Sequence, residues 1–362
     1  MQKMTRVVLA VLAVLAVAGT TAAMAQSSVT LYGRVNTTVE RQKVGDVTTT
    51  GMLNNSSRFG FKGTEDLGGG LKAGFQLESG FNSDTGASSP TFFGRQSEVN
   101  LSGGFGMVRL GNFMAESYYA TADYISMHNH DTGSSADALY VYGMRDSNKI
   151  AYRAPAFGGV TVEAAYSFDE KADLMDTSTT PATKIGKQKS AWDLAANYNN
   201  GPLGLGLGYT RQAAEVTGLG DGALQQLGLR ASYTLGDLVL GGYYQYVKAD
   251  ADVGGFGNAA AKRHAIRLAA MYTLGASEFH VNVGRANKLK IDAINTDGTA
   301  ATQFTLGYNY NLSKRTKVYT YYTRVNNDAN ATYGYGFNGT LAAGQASGKD
   351  FSSFAVGVRH NF

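Results

Sequence analysis

Cysteine is absent from the 362-residue chain, and proline (4) and tryptophan (1) are scarce. An exported chain without cysteine does not rest on disulfides, which excludes a small stapled scaffold. Beyond the first 25 residues no apolar run approaches the ~18 residues of a membrane helix, so a helical membrane protein is excluded as well. Nor is there a surplus of one charge: 32 basic against 28 acidic residues give +4. Without Lys3 and Arg6 the balance falls to 30 against 28, or +2, which argues against nucleic acid or another polyanionic partner. Catalytic signatures are also missing. There is no H-E-x-x-H and no G-x-S-x-G, and of five histidines only His128 and His130 cluster, without zinc-site spacing. The glycine repeats LGLGLGY and EDLGGGLKAG lack the strand-to-helix context and lysine of a phosphate loop; turns and close packing explain them. No cofactor, metal or catalytic residue is expected.

What is present is glycine (46), tyrosine (22) and phenylalanine (17), arranged with a period of two. The chain opens with Lys3 and Arg6, an apolar run from Val7 to Gly19 and Ala23-Met24-Ala25, the form of a secretory signal with its cleavage site. Residues 1–25 are therefore expected to be removed, leaving 26–362, or 362 − 25 = 337 residues, as one domain. Alternation follows at once. Val29, Leu31, Gly33 and Val35 share one face of a strand, and Thr30, Tyr32, Arg34 and Asn36 the other. Phe59 and Phe61 oppose Arg58, Gly60 and Lys62. Leu203, Leu205, Leu207 and Tyr209 oppose Gly204, Gly206, Gly208 and Thr210, and Phe304 to Tyr310 repeats the pattern.

Turn signals fall into two lengths. Short ones lie at 64–70, 102–106, 155–159, 199–202, 234–237, 273–277 and 311–315. Longer polar stretches lie around 40–53, 83–91, 113–144, 170–188, 211–222, 249–262, 287–300 and 327–349. Seven short and eight long connections join sixteen strands, the pattern of an all-β, antiparallel transmembrane barrel of a bacterial outer membrane. The last strand, SSFAVGVRHNF, then turns Phe354, Val356, Val358 and Phe362 to lipid and Ser353, Gly357 and Arg359 to water, and pairs with Val29–Asn36 to close the ring. Lipid makes that closure obligatory, because an open edge would leave backbone groups without partners. Tyr32, Phe81, Tyr152, Trp192, Tyr233, Tyr310 and Phe362 suit interfacial girdles.

The blocks SSVTLYGRVN, SSRFGFKGTEDLGGGLKAGFQLESGFN, GRQSEVNLSGGFGMVRLGN, NKIAYRAPAFGGVTVEAAYSF and AVGVRHNF resemble the trimeric general porins of Gram-negative outer membranes, especially the β-proteobacterial branch. The resemblance implies a homotrimer among outer-membrane lipids, one water-filled pore per subunit for inorganic ions and small hydrophilic solutes, and a third extracellular loop folded inward. It also implies that terminal Phe362 is read by the barrel-assembly machinery. By residue match, the constriction would set Arg58, Arg95 and Arg145 against acids of the 113–144 loop, Asp123 and Glu116. Strand phase turns Arg58 and Arg145 to water, but turns Arg95 outward unless a bulge shifts it. Arg34, Lys62, Arg230, Arg267 and Arg359 are further lumen candidates that would tilt the pore towards anions. A sugar-specific channel remains an alternative, with Tyr118, Tyr119, Tyr124, Tyr140 and Tyr142 as its aromatic path. A lipid-hydrolysing barrel or a structural adhesin barrel is a more distant one.

Overall fold

The computed structural model describes residues 28–122, 138–142, 146–169, 173–176, 183–216, 220–250, 259–336 and 342–362. The chain runs up and down as sixteen antiparallel strands. The first five are β1 (Ser28–Val44), β2 (Val47–Asn54, resumed as Arg58–Gly68), β3 (Leu71–Gly80), β4 (Gln96–Gly103) and β5 (Gly106–Phe113). After a helix α1 (Glu116–Thr121) come β6 (Asp146–Arg153), β7 (Val160–Ser167), β8 (Thr183–Asn200), β9 (Leu203–Val216) and β10 (Gly220–Leu235). Then follow β11 (Leu238–Ala249), β12 (Ala261–Leu274), β13 (Ser277–Ala286), β14 (Ala301–Asn311), β15 (Thr316–Asn327) and β16 (Phe351–Asn361). Each pairs with the next, and β16 pairs with β1 from Arg34↔Asn361 to Val44↔Phe351. The sheet therefore has no free edge, as a lipid solvent requires.

Alternation sets the two faces. Val35, Val39, Leu205, Leu207, Leu306, Val356 and Val358 point outward and are exposed, while Asn36, Glu40, Asn197, Arg230, Thr305 and Ser353 point inward and are buried. Tyr152, Trp192, Tyr233, Tyr310 and Phe362 lie on the outer surface as expected. Tyr32 does not. Its hydroxyl donates to Glu78 inside the barrel at 3.0 Å, because its phase is that of Arg34 rather than of Leu31.

Several of the long polar stretches are strand. The 40–53 segment is the tip of a continuous hairpin, with Val44↔Val47 in register around Gly45 at φ 54°. Asp173–Asp176 pairs with the upper part of β8, and β9 and β10 remain paired up to Val216↔Gly220. Polar alternation looks like loop when both faces are wet, as they are beyond the bilayer. One consequence falls at the closure seam, where Glu40 of β1 is fully buried. Its carboxylate accepts from Thr38 (2.9 Å), Tyr321 (2.7 Å), Gln42 (3.0 Å) and Ser353 (2.9 Å), tying β15 and β16 to β1.

Candidate functional site: the charged inner wall

One part of the inner wall is basic. Arg34 of β1 and Arg58 of β2 are directly opposed in register, a like-charge pair that destabilises a ladder unless an anion or water relieves it. Glu78 of β3 is that anion. Its Oε1 lies 2.6 Å from Nε of Arg95 and 3.8 Å from Nε of Arg58, so two guanidiniums share one carboxylate. Arg95 reaches the interior from the bend just before β4, where strand phase no longer applies: Gln96 is registered with Glu78 without a register shift, and the Arg95 N–H donates to the Glu78 carbonyl at 3.2 Å. Lys62 stands beside them, its Nζ 5.4 Å from the Tyr32 ring, and Arg34 donates to Asn361 at 2.9 Å. Next in the ring, Arg359 of β16 is registered with Lys317 of β15, which contacts Glu278 at 3.0 Å. Among the described residues these contacts group six bases with two acids, Glu78 and Glu278, while Glu40 and Glu98 also face inward on β1 and β4.

A second part is a mixed chain of charges. Arg109 of β5 joins Glu98 (2.7 Å) to Glu163 (3.0 Å), with the Phe113 ring 4.0 Å from its Cζ. Arg153 of β6 joins Glu163 (2.9 Å) to Glu116 (2.7 Å) at the start of α1. Burial, opposed first by Arg153, pushes the Glu116 carboxyl up to about 7. Glu116 is therefore not against Arg58 or Arg95; its ion-pair partners are Arg153 and, at 4.0 Å, Arg109.

The helix itself lies on the inward phase of β8–β10. Gly206 abuts the Ala120 carbonyl, Gly208 leaves 2.6 Å between an added Cβ and the Ser117 carbonyl, and Gly228 meets Thr121 at 2.9 Å. Ser117 donates its N–H (3.3 Å) and its hydroxyl to Asp193. The LGLGLGY repeat is thus a bare floor for a helix, and only glycine lets the two backbones approach so closely. The returning arm docks further round: Tyr140 donates to the Ile266 carbonyl at 2.8 Å, and Val141 N–H to Gln245 at 3.0 Å. Because α1 rests on β8–β10 and the arginines on β1–β4, acid-bearing loop and basic wall stand about half a turn apart in the sixteen-strand ring.

Of the remaining candidates, Arg230 and Arg267 face inward but are covered. Arg230 lies beside Gly206, donating to the Leu205 carbonyl at 2.8 Å, and Arg267 lies 4.1 Å from the Tyr140 ring and donates to Tyr142. Asp123 and Arg145 lie outside the described residues, as do His128, His130 and Tyr124. Tyr118, Tyr140 and Tyr142 pack together with Tyr243, with centroids 5.3 Å apart for Tyr118–Tyr142 and 5.5 Å for Tyr140–Tyr243. These three anchor the loop, while Tyr119 is exposed and Tyr124 lies outside the described residues. Arg109, Glu78 and Glu40 were not singled out from the sequence. Alternation alone would have found Arg109, an inward residue between outward Val108 and Leu110.

A closed barrel with an apolar exterior and a charged interior is a transmembrane pore. Residues 10–331 match the Gram-negative porin family. The chain is 37% identical to outer membrane porin protein 32 of Delftia acidovorans, covering 95% of this chain and 97% of that protein. It is 29% identical to an outer membrane porin protein of Bordetella pertussis over 94% and 96%. Among solved structures, it superposes on the anion-selective porin from Comamonas acidovorans with a TM-score of 0.74 and 31% identity, over 93% of this chain and 100% of that one. The trimer form of OmpT from Vibrio cholerae shares the fold, with a TM-score of 0.67 at 18% identity over 93% and 99%. The chain belongs to the Gram-negative porin family: it is an outer-membrane β-barrel channel for passive diffusion.

Proposed function

We propose that this porin is a general diffusion channel with a weak anion preference, made as a homotrimer after removal of residues 1–25. The observation that carries the preference is the sharing of Glu78 by Arg58 and Arg95, with Arg34 and Lys62 alongside. A ring segment with more bases than acids concentrates anions in a narrow aqueous path. The constriction would lie between that segment and the third loop, with Glu116 and Asp123 as loop acids and Arg145 where the chain re-enters the wall. In this reading the chain carries passive flux and performs no catalysis, and needs no cofactor. Reversal potentials in planar bilayers under a KCl gradient test the reading: a value on the chloride side is expected, and a cation-side value would overturn the preference.

Trimer and assembly have separate supports. The trimeric relative shares only the fold at its level of identity, so the trimer is to be read from native mass in detergent. Recognition of Phe362 by the assembly machinery would be disturbed by Phe362→Ser, since its ring covers Gly33 and its N–H donates to the Gly33 carbonyl at 3.1 Å. A normal yield of folded barrel from that variant would count against it.

A further inference from the structure

Most inward positions of this barrel are polar, as water-facing positions should be. The upper ends of β10–β12 break that rule. Leu224, Ala249 and Ala261 form one inward row in direct register, and Val247 stands between Gln226 and Arg263 in the next. These residues floor a recess of about 460 Å³ on the long-loop side, walled by Val141 of the third-loop arm, Leu289, and the 330–333 segment. Its depth comes from Ala249 and Ala261; any larger side chain there would fill it.

The charged part of its lining is basic, Arg263 and the adjacent Lys262. The Arg263 side chain, in a residue only 8% exposed, donates to the Leu139 carbonyl at 2.7 Å and to the Tyr333 hydroxyl, with the Tyr333 ring 5.1 Å from its Cζ. Among the described residues no carboxylate forms an ion pair with it, in contrast to Arg58, Arg95, Arg109 and Arg153. A recess with an apolar floor, in which Ala249 and Ala261 are buried and Leu224 and Val247 half-buried, and a guanidinium with neutral partners ask for complementary halves of one ligand. The volume falls in the ~300–1,000 Å³ range of small-molecule sites, which are mostly apolar with a few placed polar groups.

We propose that this recess is a binding site, apart from the Arg58–Arg95 wall, for an amphipathic monocarboxylate: an aromatic ring or short branched chain on Leu224, Val247, Ala249 and Ala261, its carboxylate towards Arg263. Its effect would be to hold such solutes at the outer mouth ahead of the constriction. Binding must be weak and quickly reversible, because a channel site that holds its solute tightly blocks flux.

The probe is phenylacetate, with acetate (charge without ring) and benzyl alcohol (ring without charge) as controls. Saturation-transfer NMR on folded protein in detergent reads binding whether or not the pore prefers anions. Planar-bilayer recordings then read current interruptions by the same solutes. Phenylacetate should saturate at a concentration at least about tenfold below either control, and Ala249→Phe, Val247→Asn and Arg263→Gln should each abolish that gap, with Val247→Asn leaving chloride conductance unchanged. Three outcomes would overturn the site: equal response to phenylacetate and acetate, equal response to phenylacetate and benzyl alcohol, or wild-type saturation in folded Ala249→Phe and Val247→Asn channels. Heat-modifiable gel mobility identifies the folded variants. Should Ala249→Phe fail to fold, Val247→Asn and Arg263→Gln decide the matter.

Discussion

Single residues decide where a charge can be tolerated in this wall. Glu40 is fully buried, and four donors from three strands hold its carboxylate. Glu40→Leu would leave those donors unpaired at about 1–3 kcal/mol for each group that finds no water. The barrel should then lose its heat-modifiable gel shift at a distinctly lower temperature than wild type, with Glu40→Gln in between; an unchanged transition would contradict the seam. Glu116 is the opposite case, a loop carboxyl raised by burial to about 7 although Arg153 and Arg109 oppose the rise and Glu163 and Asp193 add to it. A raised acid favours the folded state most when neutral. Its contribution is therefore largest below the ordinary carboxyl range and falls as pH rises through about 7. Because protonation also removes one negative charge from the third loop, chloride selectivity should increase as pH falls from 8 to 6. Glu116→Gln should flatten that step in reversal-potential measurements.

Among elements, α1 and the glycines beneath it form one unit. Gly206→Val would place a branched side chain against the Ala120 carbonyl, an overpacking that costs about 1–3 kcal/mol and is relieved most easily by lifting the helix from β9. The expected result is a folded barrel with altered single-channel conductance and noisier current, while Gly236→Ala, at a turn with open space around it but φ 58°, should leave conductance unchanged. The strands and their two faces were legible in the sequence because a period of two survives wherever one side meets lipid and the other water, as at Val29–Asn36 and Leu203–Thr210. It stopped being legible where both sides are wet, which is why the Val44–Val47 hairpin reads as loop. Site geometry was legible only in part. Phase puts Arg58 inside, but Arg95 reaches Glu78 from a bend just outside β4, where alternation no longer says which way a side chain points. The pairing of Glu116 with Arg153 likewise depends on where α1 lands.

For the molecule as a whole, closure converts local charges into a field. In the proposed constriction, bases gathered on β15, β16 and β1–β4 would stand opposite the α1 segment that rests on β8–β10, so selectivity should depend on how far fixed charges reach into the path. That reach is set by salt: the Debye length is ~30 Å at 0.01 M but ~3 Å at 1 M. Replacing Arg58 and Arg95 with glutamine leaves Glu78 without its two guanidiniums and turns a net base into a net acid at that point. At low salt the double variant should therefore move its reversal potential clearly towards cations, and at 1 M the variant and the wild type should nearly coincide. A steric filter would behave differently, since pore radius does not change with ionic strength. If the variant keeps the wild-type potential at both concentrations, these arginines do not set selectivity, whatever the barrel conducts; if the shift persists undiminished at 1 M, they act by direct ion contact and not through the field.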